Sequence, residues 1–427
     1  MNIADTLSKN LGIKKLTGPA LKEAVISTYA GLSDAEKRRV NHEIAHEVIK
    51  ATGTGDNRKK CDAPRKTPDP ENTRVLAINH TGPLDITIEW RTGPDGALIL
   101  TGYRRDAGGD QINVSKVFSH FDENIALVAL AGKEGSEITD EWEKSFMDDN
   151  IIPVLIRDPG KDQQVAVYNV IDHTPLPGMF EWADELSKET VADINQQALS
   201  MLEKMSQKGS DNIWMVLSAG GPLKYNKNAA YYASLVKEVK AKYSDKIKLM
   251  MDFKFMSGPE EAISVLDIPR DTPQDMIKPN LEEFLQILIS SGLAKPGMLD
   301  IHTITEKDIK EYAARLRDRY NLLGVFVSLD KDGLMLVTRD RVIREKGIKI
   351  HLASHTAAGD SLKAGVLYAL SKGRSFEEAV HTGNLFGAST ASMEGSQTVT
   401  PVVLAVTEDL ARKQNVVPET GSPGSGV

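Results

Sequence analysis

The sequence predicts an α/β fold: a three-layer sandwich with a mostly parallel central sheet, a small β-sheet lid and an N-terminal helical extension. Three observations lead there. From Arg74 onward, short β-branched runs alternate with stretches of helical period, and such alternation implies parallel strands covered on both faces by helices. Two stretches, within about residues 85–106 and 153–172, break that rhythm with strand-like runs and no helix between them. Residues 1–52 have helical spacing only, and a stretch rich in Gly, Pro and charge sets them apart.

In chain order, Ala20–Leu32 and Ser33–Ala51 space their apolar residues as helices do, and Ser33-Asp34-Ala35-Glu36 has the pattern of a capping box. Residues 53–73 show no apolar period and read as a linker. Residues 1–52 are therefore an appendage, either a packing or oligomerisation arm or a regulatory module. In the main domain, 74–415, strands are expected at Val75–Asn79, Ile125–Leu130, Trp214–Leu217, Ile247–Asp252, Met276–Lys278 and Val325–Leu329. Helices are expected at Gln111–His120, Asp193–Ser206, Ala229–Lys242, Asn280–Ser291 and Glu306–Tyr320. The lid would pair Asp85–Trp90 with Ala97–Gly102, and Val154–Arg157 with Gln164–Ile171. Its free edges favour pairing with a second copy, so a homodimer through the lid is expected. Residues 416–427 read as a flexible tail.

Composition narrows the classes. A chain of 427 residues with a net charge of -8 has no arginine-rich face for nucleic acid. No run of 18 apolar residues suggests a membrane span, and no basic-then-apolar segment opens the chain. Cys61 is the only cysteine, so no disulfide forms within the chain, which fits a cytoplasmic location. No P-loop pattern or G-x-S-x-G elbow is present.

Four segments bear chemistry. Ser354-His355-Thr356-Ala357-Ala358-Gly359-Asp360-Ser361 is a small-residue turn that runs into a helix-like stretch, Leu362–Ser371. The first turn of a helix has unpaired N–H groups and a partial positive charge, so it receives anions. An aspartate there can take a proton from an attacking hydroxyl. Anion hole plus base is the minimum equipment for phosphoryl transfer to an alcohol, although such an aspartate can also merely complement the helix dipole. The second segment, Asn79-His80-Thr81-Gly82-Pro83-Leu84-Asp85, ends on a carboxylate. In the third, Ala107-Gly108-Gly109-Asp110-Gln111-Ile112-Asn113-Val114, Gly108 and Gly109 admit close backbone approach and Asn113 opens a helix. Asp85 and Asn113 suit a polyhydroxylated ligand, whose hydroxyls both donate and accept. In the fourth, Lys278-Pro279-Asn280-Leu281-Glu282-Glu283, Asn280 and Glu283 share a helical face. An amide and a carboxylate so placed can orient a magnesium ion through its waters.

Together, and in this order, the segments resemble the ribokinase/PfkB family of carbohydrate kinases, in particular its phosphofructokinase-like branch (1-phosphofructokinase and tagatose-6-phosphate kinase). The resemblance covers about Arg74–Val406 and implies a ribokinase-like fold, ATP and Mg2+ as cofactors, and a sugar or polyol substrate. A monovalent cation such as K+ is left open. It implies Asp360 as the base, with Ala357, Ala358 and Gly359 offering N–H groups to the γ-phosphate. Asp85, Gly108, Gly109 and Asn113 would bind the sugar. Asn280 and Glu283 would orient the metal, and Lys278 would touch nucleotide phosphates. Val327-Ser328-Leu329-Asp330-Lys331-Asp332-Gly333 resembles the family's nucleotide loop, with Ser328 and Gly333 kept and Asp330 in place of a glycine. Asn384 matches a position beside the adenine. Where the family commonly has glycine at 357, an alanine costs little provided its φ stays negative.

The substrate side departs from the pattern. The branch usually reads Gly-Gly-Lys-Gly-Ile-Asn, and Asp110 and Gln111 here replace the Lys-Gly pair. The lid stretch Gly160–Val165 has glutamines where sugar-phosphate kinases have an arginine, with Arg157 and Lys161 nearby. A desolvated aspartate against a phosphate is unfavourable by roughly a few kcal/mol. An uncharged sugar, polyol or nucleoside-like alcohol is thus expected over a sugar phosphate. Two alternatives stay open: a non-catalytic or regulatory binding protein of the same fold, and a sugar-phosphate kinase of the phosphofructokinase type.

Overall fold

The structure, a computed structural model, describes residues 3–52, 68–79, 82–147, 150–172, 174–180, 186–207, 212–220, 228–243, 246–254, 266–267, 275–393 and 397–421. His80, Thr81, Cys61, most of the expected linker and residues 422–427 lie outside the described residues.

Three helices open the chain: α1 (Ile3–Leu11), α2 (Gly18–Glu23), which continues as a π-helical turn over Ala24–Tyr29, and α3 (Asp34–Thr52). Then come β1 (Val75–Asn79), β2 (Leu84–Thr92), β3 (Leu98–Ala107), α4 (Asp110–His120), β4 (Ile125–Ala131), α5 (Glu137–Phe146), β5 (Ile151–Arg157), β6 (Val165–Ile171), β7 (Thr174–Pro175), β8 (Met179–Phe180) and α6 (Lys188–Ser206). The chain continues through β9 (Ile213–Gly220), α7 (Asn228–Tyr243), β10 (Ile247–Lys254), β11 (Met276–Ile277), α8 (Leu281–Ser290), α9 (Glu306–Arg319), β12 (Gly324–Ser328), β13 (Gly333–Thr338) and β14 (Val342–Lys346). It closes with α10 (Ala358–Ser371), α11 (Phe376–Ala391), α12 (Pro401–Lys413) and β15 (Glu419–Gly421).

The main sheet has the order β15-β14-β13-β12-β11-β10-β9-β1-β4-β5. Its strands run parallel from β5 to β12 and antiparallel from there to β15. The parallel strands are apolar along their length, with β1 buried at every position, because helices cover both faces. Two apolar clusters follow. One lies under α6, α7, α8 and α9, the other under α4, α10 and α11. The register sets Ile78 beside Leu217, Ser218 beside Asp252 and Met251 beside Ile277. Asn79, Ser218, Asp252 and Lys278 therefore form a row across the carboxyl ends of neighbouring strands, where open α/β sheets bind ligands.

Three expectations are corrected. Val154–Arg157 belongs to β5, parallel to β4 at the edge of the main sheet; α5 provides the crossover that a parallel pair needs. The lid is instead β3-β2-β6-β7, with β8 on β6, and β2 runs parallel to β6. The end of the chain, expected as a flexible tail, contributes β15 to the main sheet at Glu419–Gly421, satisfying part of the open edge of β14. At the end of the expected linker, residues 70–72 form a 3-10 turn capped by Asp69, and Thr73 is buried.

The N-terminal helices cover the lid. Leu84, Ile86, Ile88 and Trp90 alternate along β2 and share an apolar cluster with Leu7, Leu21, Ile44 and Val48. Asn41, fully buried on α3, donates from Nδ2 to the carbonyls of Val165 (2.9 Å) and Met179 (3.0 Å). The Leu98 amide donates to the Leu16 carbonyl at 2.9 Å, so the chain before α2 also pairs with the start of β3.

Candidate active site

The centre of the site is the start of α10. Ala357 is its N-cap, with φ 61 and ψ -3, in the left-handed region. The condition under which an alanine there costs little, a negative φ, is thus not met. The turn has to reverse here to aim the first amides of α10 outward, and that is the backbone geometry in which glycine is strain-free. Asp360 sits in the first turn and is 3% exposed. Its Oδ2 accepts from Asn113 Nδ2 at 2.9 Å. The amides of Ala358 and Gly359 belong to the helix terminus that has no intrahelical acceptors, and Gly359 is exposed.

The expected substrate side is built by β2 and the start of α4. Asp85 lies at the beginning of β2 and is 4% exposed. A Cβ at Gly108 would lie 2.4 Å from each Asp85 carboxylate oxygen, so the aspartate rests directly on that glycine's backbone. Gly109, with φ 112, caps α4. One turn on, Asn113 uses its Nδ2 on Asp360, and its buried Oδ1 has no protein partner. Gln111, which the sequence marked as a departure, is buried. Its backbone N–H donates to Asn79 Oδ1 at 3.3 Å, its Nε2 donates to Ser218 Oγ at 2.7 Å, and its Oε1 is buried without a protein partner. Asp110 lies close enough to Tyr232 of α7 to act on it: burial, then the Asp110 carboxylate, hold that phenol above its usual range.

Four cations near the lid are paired with carboxylates. Arg104 pairs with Glu89, Arg105 with Glu141, Lys116 with Asp106, and Arg157 with Glu143. The Glu143 carboxylate, as hydrogen-bond acceptor, holds the Arg157 guanidinium above its ordinary range. Gln163 bridges two turns, accepting from the Gly132 amide at 2.7 Å and donating to the Gly82 carbonyl.

The nucleotide-side residues meet at the ends of β11 and β12. Ser328 donates from its amide to the Pro279 carbonyl at 3.1 Å, which places it beside Lys278 and Asn280. Lys278 is 3% exposed, its Nζ 3.6 Å from Asp252 Oδ1 and 3.6 Å from the position a Gly359 Cβ would take. Asn280 and Glu283 form a capping box: Asn280 Oδ1 accepts from the Glu283 amide and Glu283 Oε2 from the Asn280 amide, both at 2.8 Å. No group of three His, Cys, Asp or Glu among the described residues could hold a metal directly. One amide and one carboxylate fit a magnesium ion held through water and substrate phosphates, not an all-protein cage.

Asp330 has φ 54 and is exposed; a residue that must enter the left-handed region explains why glycine is usual there, and aspartate tolerates it. At Gly333, φ is 103 and a Cβ would lie 2.2 Å from the Glu345 carbonyl oxygen. Asn384 donates from Nδ2 to Glu345 Oε1 (2.8 Å) and the Lys346 carbonyl (2.9 Å), so it ties α11 to β14.

Two site residues escaped the sequence reading. Asp252, fully buried, ends the apolar run of β10. Lys363, also fully buried, lies one turn after Asp360 and donates from Nζ to Asp252 Oδ2 at 2.8 Å. A lysine inside an otherwise apolar helical stretch, three residues from the candidate base, was the available signal.

Known proteins share this architecture. Residues 272–402 match the pfkB family carbohydrate kinase. A 1-phosphofructokinase of Rhodobacter capsulatus is 24% identical over 317 residues, 73% of this chain and 88% of that protein. Both likenesses support the pfkB family of carbohydrate kinases for this chain. An uncharacterized sugar kinase of Archaeoglobus fulgidus is 26% identical over 117 residues, 27% of this chain and 46% of that protein. Phosphofructokinase-2 from Escherichia coli, solved in complex with potassium, shares the fold with a TM-score of 0.63 at 17% identity, covering 80% of this chain and 100% of that one. The protein is a carbohydrate kinase, and kinases of this family use ATP and Mg2+. Among the described residues, no helix is long and apolar enough to cross a membrane.

Proposed function

We propose that this kinase transfers the γ-phosphoryl group of ATP to a hydroxyl of a sugar or sugar-like alcohol, in the cytoplasm, with Asp360 as base. One observation carries the reading: the 2.9 Å hydrogen bond from Asn113 to Asp360. It joins the turn that faces the substrate to the helix terminus that faces the phosphate. Asp85 and Asn113 orient the acceptor, and Asp360 removes the hydroxyl proton as the oxygen attacks phosphorus. The new O–P bond forms as the bond to the leaving ADP oxygen breaks. The amides of Ala358 and Gly359, set by Ala357, and the Lys278 ammonium face the charge on the transferring group. Ser328, Gly333 and Asn384 frame the nucleotide side. Magnesium, when bound with ATP, neutralises phosphate charge; Asn280 and Glu283 are the residues that would hold it through its waters. A potassium requirement is a further part of the proposal, supported by the potassium complex of the Escherichia coli relative.

The acceptor we favour is uncharged. Gln111 Oε1 and Asn113 Oδ1 are buried acceptors awaiting donors, which hydroxyl groups provide and a phosphate does not, and the neighbouring lid cations are paired with carboxylates. A sugar-phosphate acceptor is the second reading, favoured by the 1-phosphofructokinase of Rhodobacter capsulatus. A panel of free and phosphorylated sugars with ATP and magnesium separates the two. Turnover of fructose 6-phosphate or tagatose 6-phosphate alone would overturn the preference, and full activity of Asp360→Asn would remove the mechanism. A homodimer would form along the outer edge of β3, where Ile99 is 45% and Leu100 36% exposed, because the chain's own helices cover the apolar lid face. Sedimentation of the protein and of Ile99→Lys tests that arrangement.

A further inference from the structure

Four charged side chains lie in one buried line beneath the site. Asp360 Oδ1 is 3.7 Å from Lys363 Nζ; the same ammonium donates to Asp252 Oδ2 at 2.8 Å; and Asp252 Oδ1 is 3.6 Å from Lys278 Nζ, beside Gly359. Lys363 and Asp252 are fully buried, and Lys278 and Asp360 nearly so. The chain of charges thus starts at the candidate base and ends at the anion-binding turn. Lysine is almost never fully buried unless paired, and burying an ion pair costs as much as its attraction returns. Apolar packing at position 363, in a helix whose neighbours are Leu362, Ala364 and Val366, would serve the core equally well. The charge instead stands where it faces the base.

We propose that Lys363 is the positioning residue for Asp360, a reading that rests on Asp360 being the base. A carboxylate 3% exposed is driven toward its neutral, protonated form by desolvation. A protonated aspartate cannot accept the substrate proton. The Lys363 ammonium, from the next turn of α10, favours the ionised form and fixes Oδ1, while Asn113 on α4 fixes Oδ2. At 3.7 Å the ammonium exceeds hydrogen-bond distance from Oδ1. Asp252, from β10, holds the ammonium by a direct hydrogen bond and keeps it from donating fully to the base. Lys278, from the end of β11, balances the second Asp252 oxygen. Asp252 and Lys278 are charged groups that face Lys363 and the base from β10 and the end of β11.

The test uses Lys363→Met, which keeps the stem and removes the charge, and Lys363→Arg, which restores a charge. The readouts are the pH profile of kcat/KM for the best acceptor and the 13C titration of the Asp360 carboxyl, assigned with Asp360→Asn. Lys363→Met is expected to move the acid limb and the carboxyl titration upward by about one pH unit or more, and to lower kcat at neutral pH by roughly 10-fold or more. Lys363→Arg is expected to recover most of both. If Lys363→Met does not fold, Asp252→Asn/Lys363→Met removes the hydrogen-bonded pair together, with Lys278 losing its Asp252 partner, and is expected to show the same upward movement. A folded variant of either kind with an unmoved Asp360 titration overturns the proposal, even if its activity falls. Full activity of Asp360→Asn instead overturns the assignment of the base, and the carboxyl titration remains readable in that case.

Discussion

Gly108→Ala tests how closely the substrate side is built. A Cβ at 108 would lie 2.4 Å from both Asp85 carboxylate oxygens and 2.5 Å from Cγ. Ordinary contact between heavy atoms is about 3.5 Å or more, so the carboxylate has to withdraw by about 1 Å. Misplacing a binding group by about 1 Å costs roughly 100-fold in rate, or about 3 kcal/mol of barrier. Gly108 has no positive φ, so the alanine backbone is unstrained and the loss is steric and local. The assay is kcat/KM for the best acceptor, with thermal unfolding as the control for folding. The decisive comparison is the cycle with Asp85→Ala. If the methyl acts by displacing Asp85, the double variant is no worse than Asp85→Ala alone, because the displaced group is already gone. Additive losses, or a Gly108→Ala enzyme with unchanged kcat/KM, would refute the reasoning.

Three further outcomes are expected. Ala357→Gly relieves a left-handed alanine worth about 1–2 kcal/mol and loses roughly half of that to backbone entropy, so urea unfolding should show a gain of about 0.5–1 kcal/mol with transfer activity kept. Gly333→Ala combines a φ of 103 with a Cβ 2.2 Å from a backbone oxygen; it should cost more than about 2 kcal/mol in the same measurement, and a neutral result would contradict the turn geometry. His381 is held above its ordinary value of 6.5, first by its hydrogen bond to Glu345, with burial opposing. Since its folded pKa is raised, the contribution is fully present below 6.5 and is lost as pH rises through the folded value. Unfolding free energies measured across that window should fall with pH in the wild type and fall less in His381→Gln.

Much of the site was legible because its signals are local. The turn at Ala357–Asp360, the capping pair Asn280 and Glu283, and the glycines at 108 and 109 are each specified within a few residues, by helix-terminus chemistry or by the need for close backbone approach. The alternation of strands and helices likewise announced the parallel sheet. What failed were decisions between elements. Val154–Arg157 has the composition of a strand in either sheet, and only the crossover through α5 assigned it to the main one. The N-terminal helices were legible as an appended packing arm, but their apolar faces name no partner; the partner is β2 and β6, with Asn41 reaching backbone carbonyls more than a hundred positions away.

The sequence by itself determined the fold class, the helix start proposed to bind phosphate and the identity of the candidate base, since each rests on neighbours along the chain. Tertiary structure alone decided what stands next to that base. Asn113 meets Asp360 across 247 positions and Lys363 meets Asp252 across 111, contacts that exist only once the strands have lined up their carboxyl ends beneath α10. The sign of φ at Ala357 was decided in the same way: an alanine adopts the left-handed region only where the packed helix behind it leaves the turn no other route.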